Sequence, residues 1–545
     1  MTRCDLCGVS AIVLAGALAA LPVGATETLV PAAAPAVVGA PAAPAPSPFR
    51  AGLERATAPL DEAERAAILS FYAARGDAPF WAEPGAARLG ALEAAIAATA
   101  AHGLPPARYV LAAPADPAGA EVAAMRSWLA LGRDLSSGAL NPSKADPEIE
   151  TRPRRPAPAV LLGLLAGGDV AAAAAALPPQ GPGYAALLAE KARLDAQRGA
   201  DWGPEAPAGP TLRLGDSGPR VAALRARLAA RGHAATPAPT DPAMFDAGLG
   251  AALAAFQAEA GLEADGLAGK RTIAAVNAGP EDALEAVMVN LERARWTNGV
   301  FEDRYIYVNI PAYALRMVED GRTVFETRVV VGKADDTRTP EFSGSMTYLV
   351  VNPTWHVPDS IAQRVYLPKL KANPNTLANS NMRIFTRSGT EIDPGLVDFT
   401  QFAQGNFPFR IKQNPSDANA LGKVKFMFPN RHSIYLHDTP HRELFAKAER
   451  ALSNGCVRVE DPERLAGLLL AGQVDQPEAA FDGWVAAKGE RTVNLARPIP
   501  VHIDYRTVFL DHSGVLQRRF DVYGRDAAVW QALEAIGVSL PAAEG

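Results

Sequence analysis

The chain has 545 residues, of which 48% are apolar and 21% are charged, and its formal net charge is −6. This length allows three or four domains with sizeable cores. The 53 Lys and Arg side chains are outnumbered by 59 Asp and Glu, so the composition does not indicate nucleic-acid binding. Three cysteines are too few for a disulfide-stapled fold, and the shortness of the apolar runs beyond the N-terminus excludes a polytopic membrane protein.

The first 25 residues have the pattern of a signal peptide. Arg3 supplies a positive charge, residues 11–22 are an apolar stretch, and residues 23–25 carry small side chains suited to cleavage before Thr26. A retained N-terminal membrane anchor is the alternative. Two of the three cysteines lie in this segment, so cleavage leaves Cys456 as the single thiol of an exported chain. Such a thiol is either buried and inert or used in chemistry.

The following segments differ in composition and periodicity. Residues 26–49 are mostly Pro, Ala, Val and Gly, which predicts an extended linker. Residues 50–207 show helical periodicity and predict a helical N-terminal domain without a catalytic motif.

Residues 210–279 predict a small three-helix unit with its own turns. Gly215-Asp-Ser-Gly218 precedes the first helical pattern, Phe256-Gln257 lies in the second, and Asp265-Gly266-Leu-Ala-Gly269 leads into the third. This ordered set resembles the peptidoglycan-binding-1 domain. The resemblance implies a module that binds the cell wall, and an unrelated helical bundle is the alternative.

Residues 280–303 predict a connecting helix. After it the spacing of apolar residues changes from a period of 3.6 to a period of two, which predicts a mostly β domain over residues 304–500. Asp320-Gly321 predicts a hairpin turn within it. Residues 354–408 lose the alternation and are rich in Pro, Asn and Ser, which predicts an inserted capping subdomain without strands. Residues 501–545 are interpreted as a C-terminal extension that packs on the β domain or on the helical domain.

Two short segments of the β domain combine residue types that serve catalysis. In a strand, Tyr435 and His437 point to one face and could border a cleft, while their neighbours seat the strand on the core. Arg458 shares the face of Cys456 if that segment is extended, and Gly455 allows the backbone to approach a substrate closely. Cys456 and His437 could then form a thiolate–imidazolium pair, which activates a sulfur nucleophile for acyl transfer.

Simpler interpretations of these residues stay open at this point. A lone cysteine is more often a core residue than a nucleophile, and a lone histidine on a strand is usually structural. His437 and His441 have the i,i+4 spacing of a zinc pair, but Pro440 lies between them and no helix begins there, so no metal site is predicted. His432 points to the opposite strand face, which fits a structural or surface role.

A family resemblance decides between these interpretations. Ser453-Asn454-Gly455-Cys456-Val-Arg458, with His437 nineteen residues before the cysteine, resembles the signature of the L,D-transpeptidase (YkuD-type) catalytic domain. Most of the chain is similar to the large proteobacterial YcbB-like branch of that family. Many family members have His where this chain has Asn454, a difference that this branch shares. The similarity also rests on Asn309–Tyr313, Val329–Gly332, Asn352–Pro358, Ala420–Asn430 and Tyr435–Pro440.

The resemblance implies an α+β multidomain protein. Its parts would be a mostly β catalytic domain of L,D-transpeptidase type with the inserted capping subdomain, a helical N-terminal scaffold domain and the three-helix peptidoglycan-binding domain. The implied activity is periplasmic, 3-3 cross-linking of peptidoglycan stem peptides through a cysteine thioester with release of D-Ala. No cofactor or metal is implied. Stem peptides are the expected substrates, peptidoglycan synthases are candidate partners, and carbapenem-type β-lactams are candidate inhibitors.

The resemblance also implies roles for individual residues. Cys456 is the expected nucleophile, and His437 is the expected general base and acid, with its second ring nitrogen oriented by a backbone carbonyl near Asp438. The backbone N–H groups of Gly455 and Cys456 are the expected oxyanion hole, which Tyr435 could assist.

Further residues are expected to shape the substrate site. Arg458 would organise the nucleophile loop or bind a substrate carboxylate. The expected substrate-binding residues are Trp355, Ser453, Asn454 and Asp438.

Two rival functions fit the same sequence. A peptidoglycan L,D-carboxypeptidase or endopeptidase would use the same Cys456–His437 site but pass the acyl group to water. A non-catalytic wall-binding scaffold would leave the site unused, and the intact set of Cys456, His437 and Arg458 argues against it.

Overall fold

The computed structural model describes residues 47–82, 87–110, 112, 114–199, 203–238, 240–299, 301–335 and 337–540. The predicted signal peptide and most of the predicted linker lie outside these residues. Pro48 and Phe49, which the linker prediction included, instead begin the first helix, because Pro is well tolerated in the first turn of a helix. Within the described residues, no helix is both long and apolar enough to cross a membrane.

The first part of the described chain is helical and has one central helix, α4. Glu121 of α4 is buried because it accepts hydrogen bonds from the hydroxyl of Tyr72 (2.5 Å) and from the amides of Phe80 (2.9 Å) and Trp81 (3.0 Å). These bonds tie the preceding helices to α4. The helices are α1 (Pro48–Thr57), α2 (Glu62–Ala73), α3 (Arg88–Ala98), α4 (Pro117–Ser137), α5 (Pro142–Ala145), α6 (Pro158–Gly163), α7 (Val170–Ala175) and α8 (Pro182–Ala196), with 3₁₀ turns at Thr99–His102 and Pro106–Tyr109.

The predicted three-helix unit is formed by α9 (Pro219–Ala230), α10 (Ala247–Glu259) and α11 (Lys270–Asn277). Gln257 is buried, and its amide nitrogen donates to Asp265 (2.9 Å), to the carbonyl of Leu267 (3.0 Å) and to Thr272 (3.1 Å). Its amide oxygen accepts from the N–H of Gly266 at 2.8 Å. The polar residues of the wall-binding motif therefore hold the turn before α11 onto α10, and their hydrogen-bonding groups are used inside the unit.

The connecting helix α12 (Pro280–Thr297) ends earlier than predicted, because Asn298 adopts a left-handed conformation that stops it. The β domain follows, with a π-helix at Ala362–Tyr366. Its elements are β1 (Arg304–Asn309), β2 (Ala314–Glu319), β3 (Arg322–Gly332), β4 (Phe342–Val351), β5 (Trp355–His356), α13 (Asp359–Ile361), α14 (Leu367–Ala372), β6 (Met382–Phe385), β7 (Glu391–Ile392), β8 (Arg410–Gln413), β9 (Val424–Met427), β10 (Leu436–His437), β11 (Ala451–Ser453), β12 (Val457–Val459), α15 (Pro462–Leu470), α16 (Pro477–Ala486), β13 (Arg491–Asp504), β14 (Val508–Leu510), β15 (Leu516–Arg518) and α17 (Arg525–Glu534).

The main sheet of the described residues has the strand order β11-β3-β12-β10-β9-β4-β13-β1-β2. Because β2 also pairs with β3, the sheet closes into a barrel. The predicted hairpin turn Asp320-Gly321 joins β2 to β3, with positive φ at both residues. Apolar side chains from the strands fill the interior, and this core supports the strands that carry the catalytic candidates.

The prediction that residues 354–408 contain no strand is wrong. β5, β6, β7 and β8 form a separate sheet in the order β5-β8-β6-β7. Each of these strands is too short for an alternating pattern to show in the sequence. The capping subdomain also extends to Gln413, because that residue pairs with both Trp355 and Met382. It has its own apolar core.

The predicted boundary between residues 500 and 501 is also wrong, because it falls within β13. Residues 501–504 of this strand pair with residues 306–309 of β1 and complete the barrel. The remaining C-terminal residues pack elsewhere. Trp530 and Leu533 of α17 share a core with Tyr184 of α8 and with residues of α12.

A buried ionic cluster joins distant parts of the chain, and we call Arg293, Glu341, Arg525 and Glu148 the joint cluster. Arg293 and Arg525 are fully buried, and both donate to the Glu341 carboxylate, at 2.8 Å and 3.2 Å. Arg525 also donates to Glu148 at 2.7 Å. A backbone hydrogen bond of 2.9 Å from the N–H of Glu341 to the carbonyl of Glu148 runs beside these ion pairs. The cluster therefore fixes α12, α17 and the segment around residue 148 against the start of β4.

Candidate active site

The register of two neighbouring strands brings the predicted catalytic residues together. β10 and β12 are parallel, with His437 opposite Arg458 and Leu436 opposite Val457. Leu436 and Val457 are buried in the barrel core, so His437 and Arg458 lie on the outer face of the sheet. Cys456 comes immediately before β12, next to the residue that pairs with Leu436, and its thiol contacts Tyr435 and the carbonyl of Ser433.

The turn that carries the nucleophile requires glycine at position 455. Gly455 has a φ of +113°, and a Cβ atom there would lie 3.2 Å from Cδ1 of Ile434. The hydroxyl of Ser453 donates to the carbonyl of Cys456 (2.6 Å) and accepts from the N–H of Gly455 (3.1 Å). Ser453, predicted to bind substrate, is buried and instead closes this turn.

Thr337 and Thr339 belong to a second loop that supports the nucleophile turn, and the sequence did not predict this role. The hydroxyl of Thr339 donates to the carbonyl of Gly455 at 2.7 Å, and that of Thr337 donates to the carbonyl of Ser453 at 3.1 Å. The N–H of Thr339 donates to the hydroxyl of Tyr523 at 3.2 Å. No sequence motif marks these residues, because only the tertiary fold brings them to the turn. The position of the nucleophile therefore depends on the C-terminal part of the chain.

His437 is 5% exposed, and a neighbouring carbonyl fixes its tautomer. Its Nδ1 lies 2.5 Å from the carbonyl oxygen of Asp438, and because a carbonyl only accepts, Nδ1 carries the proton. Nε2 is then the basic nitrogen, as the sequence analysis expected. The Asp438 carboxylate accepts from the amides of Lys423 (2.8 Å) and Thr439 (2.7 Å), so this buried side chain is not placed to bind a substrate as predicted.

The surroundings of both reacting groups favour their neutral forms. Burial and, second, the positive charge of Arg458 lower the pKa of His437 to about 3. Burial raises the pKa of the Cys456 thiol to about 11, and hydrogen bonds with Tyr435 and the charge of Arg458 oppose this rise only in part. These shifts favour a neutral thiol and a neutral imidazole over the predicted thiolate–imidazolium pair. The thiol proton must move to the imidazole as the sulfur attacks.

Arg458 is the charged group of the site that has no counter-ion. Among the residues that the structure describes, its guanidinium forms no ion pair, and its buried Nε has no hydrogen-bond partner. Burial lowers the pKa of Arg458, because the charged form loses hydration. An unpaired cation in such surroundings is unfavourable until an anion binds it. Arg458 is therefore placed to receive a carboxylate.

The capping subdomain reaches the site at two points. Trp355 is buried in the core of this subdomain, and Tyr435 packs against both that core and the barrel core. Arg364, in the π-helix of the cap, donates to Oδ1 of Asn454 at 3.2 Å. Of the predicted substrate-binding residues, Asn454 is thus an exposed contact between the nucleophile turn and the cap, and Trp355 supports Tyr435.

The turn offers one free amide to a developing oxyanion. The N–H of Gly455 is engaged by Ser453, whereas the N–H of Cys456 has no acceptor within the described ranges. The expected hole of two amides is therefore not formed in this state, and the Tyr435 hydroxyl beside the thiol is the second donor available.

The side chains of the other histidines considered in the sequence contact carboxylates outside the catalytic set. His432 contacts Glu150 at 2.7 Å and its ring lies 5.2 Å from that of Phe342. His441 is exposed and lies 3.3 Å from Glu443. In the part of the chain that the structure describes, no three His, Cys, Asp or Glu side chains are grouped to hold a metal ion.

Comparison with known proteins identifies three regions of the chain. Residues 303–485 match the family described as the L,D-transpeptidase catalytic domain. Residues 66–190 match a family described as the scaffold domain, and residues 217–276 match one described as "Putative peptidoglycan binding domain". The strands, turn and cap described above all lie within the first of these ranges.

One curated relative and several solved structures share segments with the chain. A protein of Haemophilus influenzae named "Putative L,D-transpeptidase" is 37% identical over 224 residues, which are 41% of this chain and 45% of that protein. The chain therefore matches less than half of the length of that relative. An L,D-transpeptidase from Xylanimonas cellulosilytica is 18% identical over 55% of this chain and 99% of its own, with a TM-score of 0.17. An L,D-transpeptidase from Mycobacterium smegmatis is 10% identical over 37% of this chain and 58% of its own, with a TM-score of 0.19.

The chain thus contains a YkuD-type L,D-transpeptidase catalytic domain together with a scaffold domain and a peptidoglycan-binding domain. The predicted α+β multidomain fold class is confirmed, with a helical N-terminal region, a helical wall-binding unit and a mostly β catalytic domain.

Proposed function

We propose that this protein is an L,D-transpeptidase that joins peptidoglycan stem peptides by 3-3 cross-links through a thioester on Cys456. The observation that supports this proposal best is the pairing of β10 with β12, which places His437 opposite Arg458 and next to the strand that follows Cys456, within the range that matches the catalytic domain. A nucleophile, an adjacent base and a free cation are the groups that acyl transfer between acidic peptides requires.

In the first step, Sγ of Cys456 attacks the carbonyl carbon of the third residue of the donor stem, meso-diaminopimelate. The thiol proton passes to Nε2 of His437, and the oxyanion is stabilised by the N–H of Cys456 and the hydroxyl of Tyr435. The C–N bond to D-Ala then breaks, and His437 returns the proton to the leaving amine. Arg458 binds a carboxylate of the donor and holds the stem in register with the sulfur.

In the second step, the side-chain amine of an acceptor stem attacks the thioester carbon. Its proton passes to His437, the C–S bond breaks, and the protonated imidazole returns a proton to the departing sulfur. The new amide joins the two stems, and the enzyme returns to its neutral resting pair. Water in place of the amine would give the L,D-carboxypeptidase alternative.

The test uses purified protein, a disaccharide-tetrapeptide and mass spectrometry of the products. The wild type should form the cross-linked dimer and release D-Ala, and Cys456→Ala should do neither. Cys456→Ser should be nearly inactive, because a hydroxyl ionises far less readily than a thiol. Tripeptide and D-Ala without dimer would establish the hydrolase instead. Any D-Ala release by Cys456→Ala would overturn the thioester mechanism.

The proposal includes export to the periplasm, and it is motivated by the pattern of the first 25 residues. Protein isolated from the periplasm should begin near Thr26. The domain at residues 217–276, which matches a putative peptidoglycan-binding family, fits delivery of the enzyme to the polymer, with peptidoglycan synthases as candidate partners. Carbapenems should acylate Cys456 and add their mass to the wild type but not to Cys456→Ala.

A further inference from the structure

A basic groove whose lining includes Arg431, two residues before Ser433, is not used by the proposed mechanism. Its cavity has a volume of about 950 Å³ and lies between α5, the segment at 147–155, the outer side of α17 and Arg431. We define the basic groove by its charged lining residues, which are Lys144, Glu150, Arg152, Arg155 and Arg431.

The groove carries excess positive charge in a chain whose net charge is negative. Lys144, Arg152 and Arg155 are exposed, and neither Lys144 nor Arg152 forms an ion pair with a residue that the structure describes. The single carboxylate of the lining, Glu150, is already engaged by Arg431, whose Nε lies 2.8 Å away. The side chain of Arg155 donates only to the carbonyl of Leu140, at 3.3 Å, so three cations of the groove have no carboxylate partner among the described residues.

The groove approaches the nucleophile through a short connection. The thiol of Cys456 donates weakly to the carbonyl of Ser433, with Sγ and O 3.8 Å apart. Arg431 precedes Ser433 by two residues, a length of chain that spans at most about 7 Å. The backbone of Arg431, one lining residue of the groove, therefore lies near the thiol, whereas the cap approaches the same turn through Arg364 and Asn454.

The wall of the groove is held in place before any ligand arrives. The N–H of Glu150 donates to the carbonyl of Glu341 at 2.8 Å, and the N–H of Glu341 donates to the carbonyl of Glu148 at 2.9 Å. Arg525 of the joint cluster binds the Glu148 carboxylate at 2.7 Å. A binding surface that is fixed in advance loses less entropy when it captures a flexible peptide.

We propose that the basic groove binds the acyl acceptor, a second stem peptide, through the carboxylates of that peptide, and so brings its amine to the thioester. This inference rests on the proposed function and assigns the acceptor side of the same site. A stem peptide suits the groove because it is extended, flexible and carries several carboxylates, which the exposed Lys and Arg side chains recognise as charges.

The test separates donor from acceptor. A disaccharide-tetrapeptide serves as donor and a disaccharide-tripeptide, which has no D-Ala to release, serves only as acceptor. The variant Arg152→Glu/Arg155→Glu should release D-Ala from the donor within about twofold of the wild-type rate. Its KM for the acceptor should rise about tenfold, because two surface charge contacts are reversed and each is worth up to about 1 kcal/mol. Added salt should raise the wild-type acceptor KM and leave that of the variant nearly unchanged.

The matched control is Arg55→Glu/Arg126→Glu, which makes the same change of net charge at exposed positions on α1 and α4. It should keep the wild-type acceptor KM, and Lys144→Glu, a second groove variant, should raise that KM by a smaller factor. An unchanged acceptor KM in the Arg152/Arg155 variant, or an equal rise in the control, would overturn the acceptor groove. A wild type that releases no D-Ala would instead overturn the proposed function, so the two failures are distinct.

Discussion

Buried charge is arranged in opposite ways at the joint cluster and beside the nucleophile. In the joint cluster, the fully buried Arg293 and Arg525 both donate to Glu341. Beside the nucleophile, Arg458 forms no ion pair with a described residue, and burial lowers the pKa of the neighbouring His437. Paired charges fix one part of the fold to another, whereas an unpaired charge is held ready for a ligand. The comparison predicts that mutations in the two places separate stability from activity.

Removal of the base should give the largest effect. His437→Ala should lower kcat/KM for D-Ala release by about 10²–10⁴-fold, the usual contribution of a general base, and should leave the melting temperature close to that of the wild type. Rates with the disaccharide-tetrapeptide and a thermal melt measure both quantities. The matched control His441→Ala removes an exposed histidine outside the site and should retain wild-type activity. If His437→Ala turned over at the control's rate, another residue would have to be the base.

Breaking the joint cluster should give the largest loss of stability. Glu341→Ala leaves two buried guanidinium groups without their shared carboxylate, and we expect a loss of about 3–5 kcal/mol in the free energy of unfolding. Glu319→Ala removes the half-exposed partner of Arg304 and should lose at most about 1 kcal/mol. Urea unfolding of the two variants gives both values. Equal losses in the free energy of unfolding would show that the joint cluster stabilises the fold no more than a surface ion pair does.

Changing the unpaired cation should mainly affect activity. Arg458→Gln should lower kcat/KM by about 10–100-fold, the effect of losing a hydrogen bond to a charged group, with little loss of stability. Because the positive charge of Arg458 lowers the pKa of His437, its removal should also move the acidic limb of the pH–rate profile to higher pH. Arg458→Lys keeps the charge and should keep that limb in place. A large loss of stability in Arg458→Gln would mean that Arg458 is a structural residue.

The smallest expected effect is that of pH on the wild type, whose kcat/KM should show no inflection near neutral pH. Since the pKa of His437 is lowered to about 3 and that of Cys456 is raised to about 11, kcat/KM should be flat from about pH 5 to 9. The same pKa shifts determine how the free energy of unfolding depends on pH. The unfolded chain protonates His437 more readily than the folded chain does, so the free energy of unfolding falls as the pH drops below about 6.5. The folded chain protonates Cys456 more readily than the unfolded chain does, so the free energy of unfolding also falls above about pH 9. An inflection near pH 6.5 would contradict the burial of His437.

Local patterns predicted the parts of the molecule that depend on local chemistry. Asp320-Gly321 forms the hairpin because its turn requires positive φ, and Gly455 precedes Cys456 because its φ of +113° is one that other residues rarely adopt. The two-residue strand β10 is recognisable from Tyr435 and His437 because these polar side chains alternate with apolar ones.

Residue patterns do not predict the features that tertiary contacts decide. Ser453 and Asp438 have side chains that would suit a substrate, but backbone groups of the folded chain use their hydrogen-bonding capacity first. Thr339 carries no motif and becomes important only because the fold lays it behind the nucleophile turn. The charge state of Cys456 likewise depends on burial, which residue spacing does not encode.

The path of β13 sets where the chain can be shortened. A protein that ends at Pro500 lacks residues 501–504, and residues 306–309 of β1 then lose their partners. The barrel would open into a sheet with a free, apolar strand at its margin, a form prone to pair with other molecules. Residues 501–504 are therefore part of a barrel strand as well as of the predicted C-terminal extension. Truncation after Pro500 should yield aggregates instead of an isolated catalytic domain.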